Sequence, residues 1–208
     1  LVNSTATNRS FFALVDETFW ENVNLTSKED LDYIQSLYDS EIYEEDREFQ
    51  SFLDIINKKN LSRNTIIILT SDHGEEFMEH GGVDHGTTLY DEITHVPLII
   101  RSPAIKGSIK TNYPAQGIDI MPTILAMLNI PSPKSAQGED LIKAISDGLN
   151  KDAKIIYSSL PGKQVSIRVG RLKYIARVYD EGNKCYIIPD SAELYDLSND
   201  KEKKNNMI

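Results

Sequence analysis

The sequence predicts an α/β fold that ends in a small antiparallel sheet, on three observations. Residues 27–59 carry apolar side chains at helical spacing, two all-apolar runs at 65–70 and 96–100 follow, and beyond about residue 152 short strand-like pieces alternate with turn residues. The expected division is an α/β lobe over 1–150 and an antiparallel subdomain over 151–208.

Each element has its own signal. Leu31, Ile34, Leu37, Tyr38, Ile42, Phe49, Phe52, Leu53 and Ile56 recur mostly every three or four residues, which predicts a long amphipathic helix, broken at most once and capped by Thr26 or Ser27. After the polar turn 57–60 comes Thr65-Ile66-Ile67-Ile68-Leu69-Thr70. A β-branched run with no polar face predicts a buried, parallel central strand. Val96-Pro97-Leu98-Ile99-Ile100 predicts a second strand reached by a crossover, and in such a sheet ligands bind beyond the carboxyl ends of the strands. Asp119 as N-cap, Pro122 in the first turn and an apolar face of Ile120, Ile124, Leu125 and Leu128 predict another helix, stopped by Asn129 and Pro131. The C-terminal pieces are 154–158, 165–169, 172–178 and 185–188.

Composition narrows the function classes. The 208 residues can bury a real core, with 40% apolar and 26% charged residues. No apolar run approaches the roughly 20 residues of a membrane-spanning helix, so no membrane span is expected. The formal net charge is −10 and the basic residues are scattered, which argues against a nucleic-acid partner. An anionic ester remains possible as substrate if a metal ion and a few cationic groups are focused in one cleft. Cys185 is the single cysteine, read as an ordinary thiol, so no intrachain disulfide can form. Sequons at Asn3, Asn8, Asn24 and Asn60 are of the kind chance supplies in an Asn-rich chain. The opening Leu1-Val2-Asn3-Ser4 lacks an initiator Met and a signal-like segment, as expected if something upstream has been removed or if this is an excised fragment.

Three of the four histidines fall within thirteen residues, in Ser71-Asp72-His73-Gly74-Glu75-Glu76-Phe77-Met78-Glu79-His80-Gly81-Gly82-Val83-Asp84-His85-Gly86. Asp72 and His73 stand where a strand gives way to a loop, so both side chains can turn toward one ion. Carboxylate with imidazole leaves Ca²⁺, Mg²⁺, Mn²⁺ and Zn²⁺ open. By itself an Asp-His-Gly after a strand could equally be a helix cap and a turn. Glu75 and Glu76 are expected to face the positive end of a helix starting there.

The stretch 65–103 resembles the sulfatase family of the alkaline-phosphatase superfamily: a hydrophobic strand, Ser-Asp-His-Gly-Glu, a His-Gly pair, a Tyr-acid-Glu helix and Val-Pro-Leu-Ile-Ile. Further matches are Leu37-Tyr38-Asp39-Ser40-Glu41-Ile42, Gly117-Ile118-Asp119-Ile120-Met121-Pro122-Thr123-Ile124-Leu125, Gly138-Glu139-Asp140-Leu141 and Glu193-Leu194-Tyr195-Asp196-Leu197-Ser198-Asn199-Asp200. The resemblance implies an alkaline-phosphatase-like sheet flanked by helices and a metal-dependent sulfuric ester hydrolase acting on a small-molecule or glycan sulfate ester. It implies Asp72 and His73 as ligands of one divalent ion, Ca²⁺ or Mn²⁺ first and Mg²⁺ or Zn²⁺ next. It places His85 against the sulfate oxygens as the catalytic donor. His80 matches the family's first His-Gly, as a substrate contact or as a loop-ordering donor, and His95 is read as structural.

The departures are as informative. The family nucleophile, a Cys or Ser in Cys/Ser-x-Pro-x-Arg that matures to formylglycine in true sulfatases, has no counterpart here. Nor does the Asp-x-His stretch expected after a Phe-Phe-rich strand, since Phe11-Phe12-Ala13-Leu14-Val15 runs into Asp16-Glu17-Thr18. The expectation is therefore the C-terminal half of such an enzyme, partnered by a missing N-terminal half and inactive alone. His73, where many sulfatases carry Asn, keeps a phosphoester or phosphonate hydrolase or a phosphoethanolamine transferase as one alternative. A non-catalytic sulfatase-like binding protein is the other.

Overall fold

The computed structural model describes residues 23–181, 184–188, 191–200 and 203–208, with the side chains of 180–181 and 184–186 excepted. The 11–15 stretch and the sequons at Asn3 and Asn8 lie outside the described residues, as does the Cys185 side chain. Two compact units divide at residue 65, Leu1–Thr65 and Ile66–Ile208.

The first unit holds helix α1, Lys28–Lys58, which is unbroken over its 31 residues. Ser27 caps it by accepting from the Asp30 backbone N–H, and Glu29 and Asp30 lie in the first turn, where the helix dipole favours acids. Ile34 and Ile56 are buried. Ile42 and Phe52 of the same apolar set are about half exposed.

The second unit begins with β1, Ile67–Thr70, and continues through the short strands β2, Glu76–Phe77, and β3, Val83–Asp84, the single-turn helix α2, Asp91–Thr94, and β4, Leu98–Arg101. β1 and β4 pair antiparallel, Ile67 opposite Arg101 and Thr70 opposite Leu98, which corrects the expected parallel pair. The residues between them form the antiparallel β2–β3 hairpin and one helical turn. A parallel neighbour needs a crossover of a dozen or more residues, usually helical, that carries the chain back along the sheet. An apolar run records burial and not strand direction. Even burial is partial: β1 is half-buried up to exposed Thr70, and Ile99 on β4 is exposed.

Helix α3, Ile120–Met127, follows a 3₁₀ turn at Gly117–Asp119. Asp119 occupies the N-cap position but makes no side-chain cap bond to α3. Its buried carboxylate instead accepts from the backbone N–H of Gln116 and Glu139 at 2.8 and 3.0 Å and from Lys154 Nζ at 2.6 Å. Asn129, at φ 57°, ends this segment in the left-handed region. A six-residue helix α4, Leu141–Ser146, is capped by Asp140.

The antiparallel C-terminal sheet is present. Strands β5, Ile155–Leu160, β6, Gln164–Val169, β7, Leu172–Glu181, and β8, Lys184–Ile187, lie in sequence order. A fifth strand, β9, Glu193–Asp196, pairs with the first part of β7. Ile175, Ala176, Val178 and Tyr195 form its core. Among the described residues no helix is long and apolar enough to cross a membrane.

Candidate active site

The site grows from the end of β1. Ser71 Oγ donates to the His73 carbonyl at 2.7 Å, and Asp72 Oδ1 accepts from the His73 backbone N–H at 3.0 Å. The Asp72 side chain is 87% exposed. Backbone hydrogen bonding, its own N–H first, together with the neighbouring His73 ring holds its carboxyl below the usual carboxylate range. His73 Nδ1 lies 2.9 Å from the Gly74 carbonyl, so a proton on that nitrogen makes the bond and leaves Nε2 for a ligand. Nε2 stands 3.7 Å from Asp72 Oδ2. Two donors each about 2.1 to 2.4 Å from one ion lie roughly 3 to 3.8 Å apart at ordinary coordination angles, so the pair suits a shared divalent cation.

Gly74 fixes where this loop runs. Its N–H donates to the Ile93 carbonyl of α2 at 2.9 Å, and a Cβ there would sit 1.9 Å from the Glu92 carbonyl oxygen. Only glycine allows so close a backbone approach.

Past Gly74 the chain enters β2, and no helix starts there, which corrects the reading of Glu75 and Glu76 as dipole partners. Successive side chains on an extended chain point to opposite sides. Glu75 Oε1 lies 2.8 Å from His85 Nδ1 and 3.9 Å from His73 Nδ1. Burial pushes the Glu75 carboxyl up, against the opposing pull of the His85 hydrogen bond. Glu76 faces the other way, fully buried, accepting from the backbone N–H of Gly82 at 2.9 Å and of His80 at 3.3 Å and from Thr88 Oγ1 at 3.0 Å.

β3 returns the chain so that the His85 ring stacks on His73, centroids 3.9 Å apart and 24° between planes. His73 and His85, twelve residues apart, thus share one site. Asp84 has a left-handed φ of 70°, and its Oδ1 lies 2.8 Å from both the His85 backbone N and His85 Nδ1. His73, Glu75 and His85 each offer a ligand atom within 4.8 Å of the others, a second way in which this cluster could hold an ion.

The structure places His80 elsewhere. Its ring lies against Tyr90, centroids 3.7 Å apart, and its Nδ1 is bonded to Glu92. Beside it opens a cavity of about 560 Å³ whose lining includes His80, Glu92, His95 and Lys203. Exposed His95 follows α2 as its C-cap.

The C-terminal sheet holds this region from behind. Lys163, in the β5–β6 turn, donates to the carbonyl of Gly86 at 2.8 Å, directly after His85. Buried Lys173 on β7 reaches Asp91 of α2 at 2.7 Å, and Tyr90 and Tyr195 both donate to Glu193, at 2.8 and 2.9 Å.

The chain matches the Sulfatase family over residues 5–130 and the family described as N-sulphoglucosamine sulphohydrolase, C-terminal, over residues 78–208. It is 29% identical to arylsulfatase K of Homo sapiens over 193 residues, 87% of this chain and 34% of that protein. It is 32% identical to the uncharacterized sulfatase YidJ of Escherichia coli (strain K12) over 145 residues, 70% of this chain and 28% of that protein. The chain spans about a third of the length of the curated relatives it matches. Among solved structures, a 2-O GAG sulfatase superposes with TM-score 0.72 at 22% identity, covering 90% of this chain and 45% of that one. A phosphonate monoester hydrolase from Silicibacter pomeroyi superposes with TM-score 0.74 at 21% identity, covering 95% and 40%. A protein solved in complex with its substrate, D-glucosamine-2-N,6-O-disulfate, does so with TM-score 0.66 at 24% identity, covering 91% and 40%. These superpositions establish an alkaline-phosphatase-like α/β fold.

Proposed function

The chain belongs to the sulfatase family, and from that premise we propose that the intact protein hydrolyses the sulfate ester of a sugar. In this reading Asp72 and His73 hold one divalent ion and His85 donates to the ester oxygens. The observation that carries it is the convergence of three side chains from the β1 exit and the hairpin: Asp72 Oδ2 lies 3.7 Å from His73 Nε2, and the His85 ring stacks on His73. The sugar is supported by the match to the N-sulphoglucosamine sulphohydrolase C-terminal family and by the substrate in the superposed complex.

A divalent ion at this pair supplies positive charge against the ester oxygens. The chain's own residues do the rest. Asp72, exposed and ionised, presents a ready carboxylate, and His73 offers Nε2 while its Nδ1 is tied to the Gly74 carbonyl. His85, held on one edge by Glu75 and on one face by His73, presents a donor where charge develops on the leaving oxygen. His80 orders the loop, gripped between Tyr90 and Glu92. The covalent step belongs to residues outside these 208, because no Cys/Ser-x-Pro-x-Arg stretch occurs among them. A boundary near residue 150 separates the catalytic lobe from the sheet that buttresses it.

His73 supports a second reading, phosphoester or phosphonate hydrolysis on the same scaffold. One experiment weighs both. Titrating Mn²⁺ and Ca²⁺ calorimetrically into the 208-residue chain should show weak binding that disappears in Asp72→Ala, with no turnover of p-nitrophenyl sulfate or p-nitrophenyl phosphate. In the intact protein, His85→Ala should lower kcat on p-nitrophenyl sulfate by about 100-fold or more with metal content unchanged. Faster turnover of the phosphate than of the sulfate would favour the second reading. Metal-dependent turnover by the 208-residue chain alone, lost in Asp72→Ala, would overturn the placement of the nucleophile.

A further inference from the structure

A carboxylate taken out of water needs partners for its oxygens. Glu75 is 9% exposed, and its Oε1 reaches His85 Nδ1 at 2.8 Å. An imidazole nitrogen facing a carboxylate carries the proton, so the acid sets the tautomer of the ring. His73 covers one face of the same ring at 3.9 Å. A histidine ring can otherwise turn over about its second side-chain torsion and exchange Nδ1 for a carbon, because that torsion is broad and nearly two-fold. One edge contact and one face contact together leave a single orientation, with Nε2 directed away from Glu75.

Asp84 competes for the role, since its Oδ1 is also 2.8 Å from His85 Nδ1. Its side chain is 49% exposed, against 6% for Glu75, and the same oxygen accepts from the His85 backbone N–H. Water screens and replaces an exposed partner far more readily than a buried one.

We propose that Glu75 is the positioning residue of His85, holding the proton on Nδ1 and directing Nε2, which donates when the ring takes a second proton and becomes the imidazolium, as the one nitrogen that meets the substrate. The substrate half of this statement rests on the reading of His85 given above. The tautomer half does not, and it can be read without metal, substrate or turnover.

The test uses ¹⁵N-histidine-labelled chain, with long-range ¹H–¹⁵N spectra recorded at a pH where His85 is neutral. Wild-type His85 should show the Nδ1–H tautomer; an Nε2–H ring in the wild type overturns the proposal without any variant. Glu75→Ala should move His85 to a mixture of tautomers. Glu75→Gln, whose amide oxygen can still accept, should keep Nδ1–H, and so should Asp84→Ala. A folded Glu75→Ala that keeps Nδ1–H, or an Asp84→Ala that loses it, assigns the role to Asp84 and overturns the proposal. In the intact protein, Glu75→Ala should lower kcat about 10- to 100-fold, with KM within about two-fold and partial rescue in Glu75→Gln, as for loss of an outer-shell partner. An unperturbed kcat in Glu75→Ala beside a changed tautomer would refute the substrate role of His85 while leaving the positioning by Glu75 intact.

Discussion

Replacing Gly74 by alanine is the most direct challenge to the way this site is assembled. The new Cβ would lie 1.9 Å from the Glu92 carbonyl oxygen and 3.0 Å from its carbon, where ordinary contact begins at 3.4 Å. Loop and helix must therefore separate by about 1.5 Å at this point. The obstacle is backbone of α2, so no rotamer change can relieve it, and α2 is anchored by Lys173 at Asp91, 2.7 Å away. Separation also breaks the 2.9 Å bond from Gly74 N–H to the Ile93 carbonyl. Overpacking of this kind costs about 1–3 kcal/mol and the lost bond about 1 more, so a destabilisation of about 2–4 kcal/mol is expected in urea. Because His73 and Glu75 flank the glycine, a displacement of about 1 Å reaches both, and about 100-fold in kcat of the intact protein should be lost with it. Calorimetric titration with Mn²⁺ should show at least about tenfold weaker binding. Gly81→Ala is the control: at φ 85° with open space around its Cβ, it should cost about 1–2 kcal/mol of backbone strain and leave metal affinity alone. Wild-type midpoint and wild-type affinity in Gly74→Ala would refute the argued contact between the site loop and α2.

Two further outcomes follow from buried polar groups away from the histidines. Lys154→Met leaves the Asp119 carboxylate, now 2.6 Å from Lys154 Nζ, buried without its cation. That should cost about 3–5 kcal/mol by denaturant unfolding, and Lys154→Met combined with Asp119→Asn should recover part of it. At high pH the tyrosine pair should show its protonation linkage: burial, reinforced by Glu193, pushes the Tyr195 hydroxyl up to about 12 and raises Tyr90 as well. A folded pKa above the unfolded value of about 10 means that the stabilisation is fully present below pH ~10 and is lost as pH rises toward about 12. By pH 11 the wild type should lose about 1.4 kcal/mol more than Tyr195→Phe in urea unfolding, and parallel pH curves for the two proteins would contradict it.

How much of the fold was legible depended on whether the signal was local. The α1 span was readable because Ser27, the acids behind it and a sustained apolar spacing all act within the helix itself. The strands β5 to β8 were readable because each is bounded by its own turn residues. β9 carries the same kind of signal in Glu193-Leu194-Tyr195-Asp196, yet it pairs with β7 between 18 (Ile175 with Glu193) and 24 (Leu172 with Asp196) residues back, and nothing local announces that register. The direction of β4 against β1 was unreadable for the same reason. Asp119 shows the limit from another side: its cap position is local and correct, but its carboxylate is claimed by Glu139 and Lys154, 20 and 35 residues away.

The site divides along the same line. The density of His and acid in 71–86 is a property of the sequence, and it points to the loop in which His73, Glu75 and His85 come together. What each residue does there is set by two features the motif does not display. One is the two-residue strand β2, which sends Glu75 to the histidines and Glu76 into the hairpin; reading the pair as extended rather than helical was the available signal, since the run Glu75-Glu76-Phe77 is followed by Gly81-Gly82, a turn that closes a hairpin. The other is the left-handed Asp84, which turns the chain at the end of β3 so that His85 comes back over His73. His80, nearer in sequence to His73 than His85 is, misses the stack because it stands in the hairpin turn, where Glu76 takes its backbone N–H and Tyr90 and Glu92 take its ring. Sequence distance therefore ranks the two histidines in the wrong order. The hairpin register, Glu76 opposite Asp84, brings the ends of its two strands together, and that is what places His85 and not His80 beside the candidate metal pair.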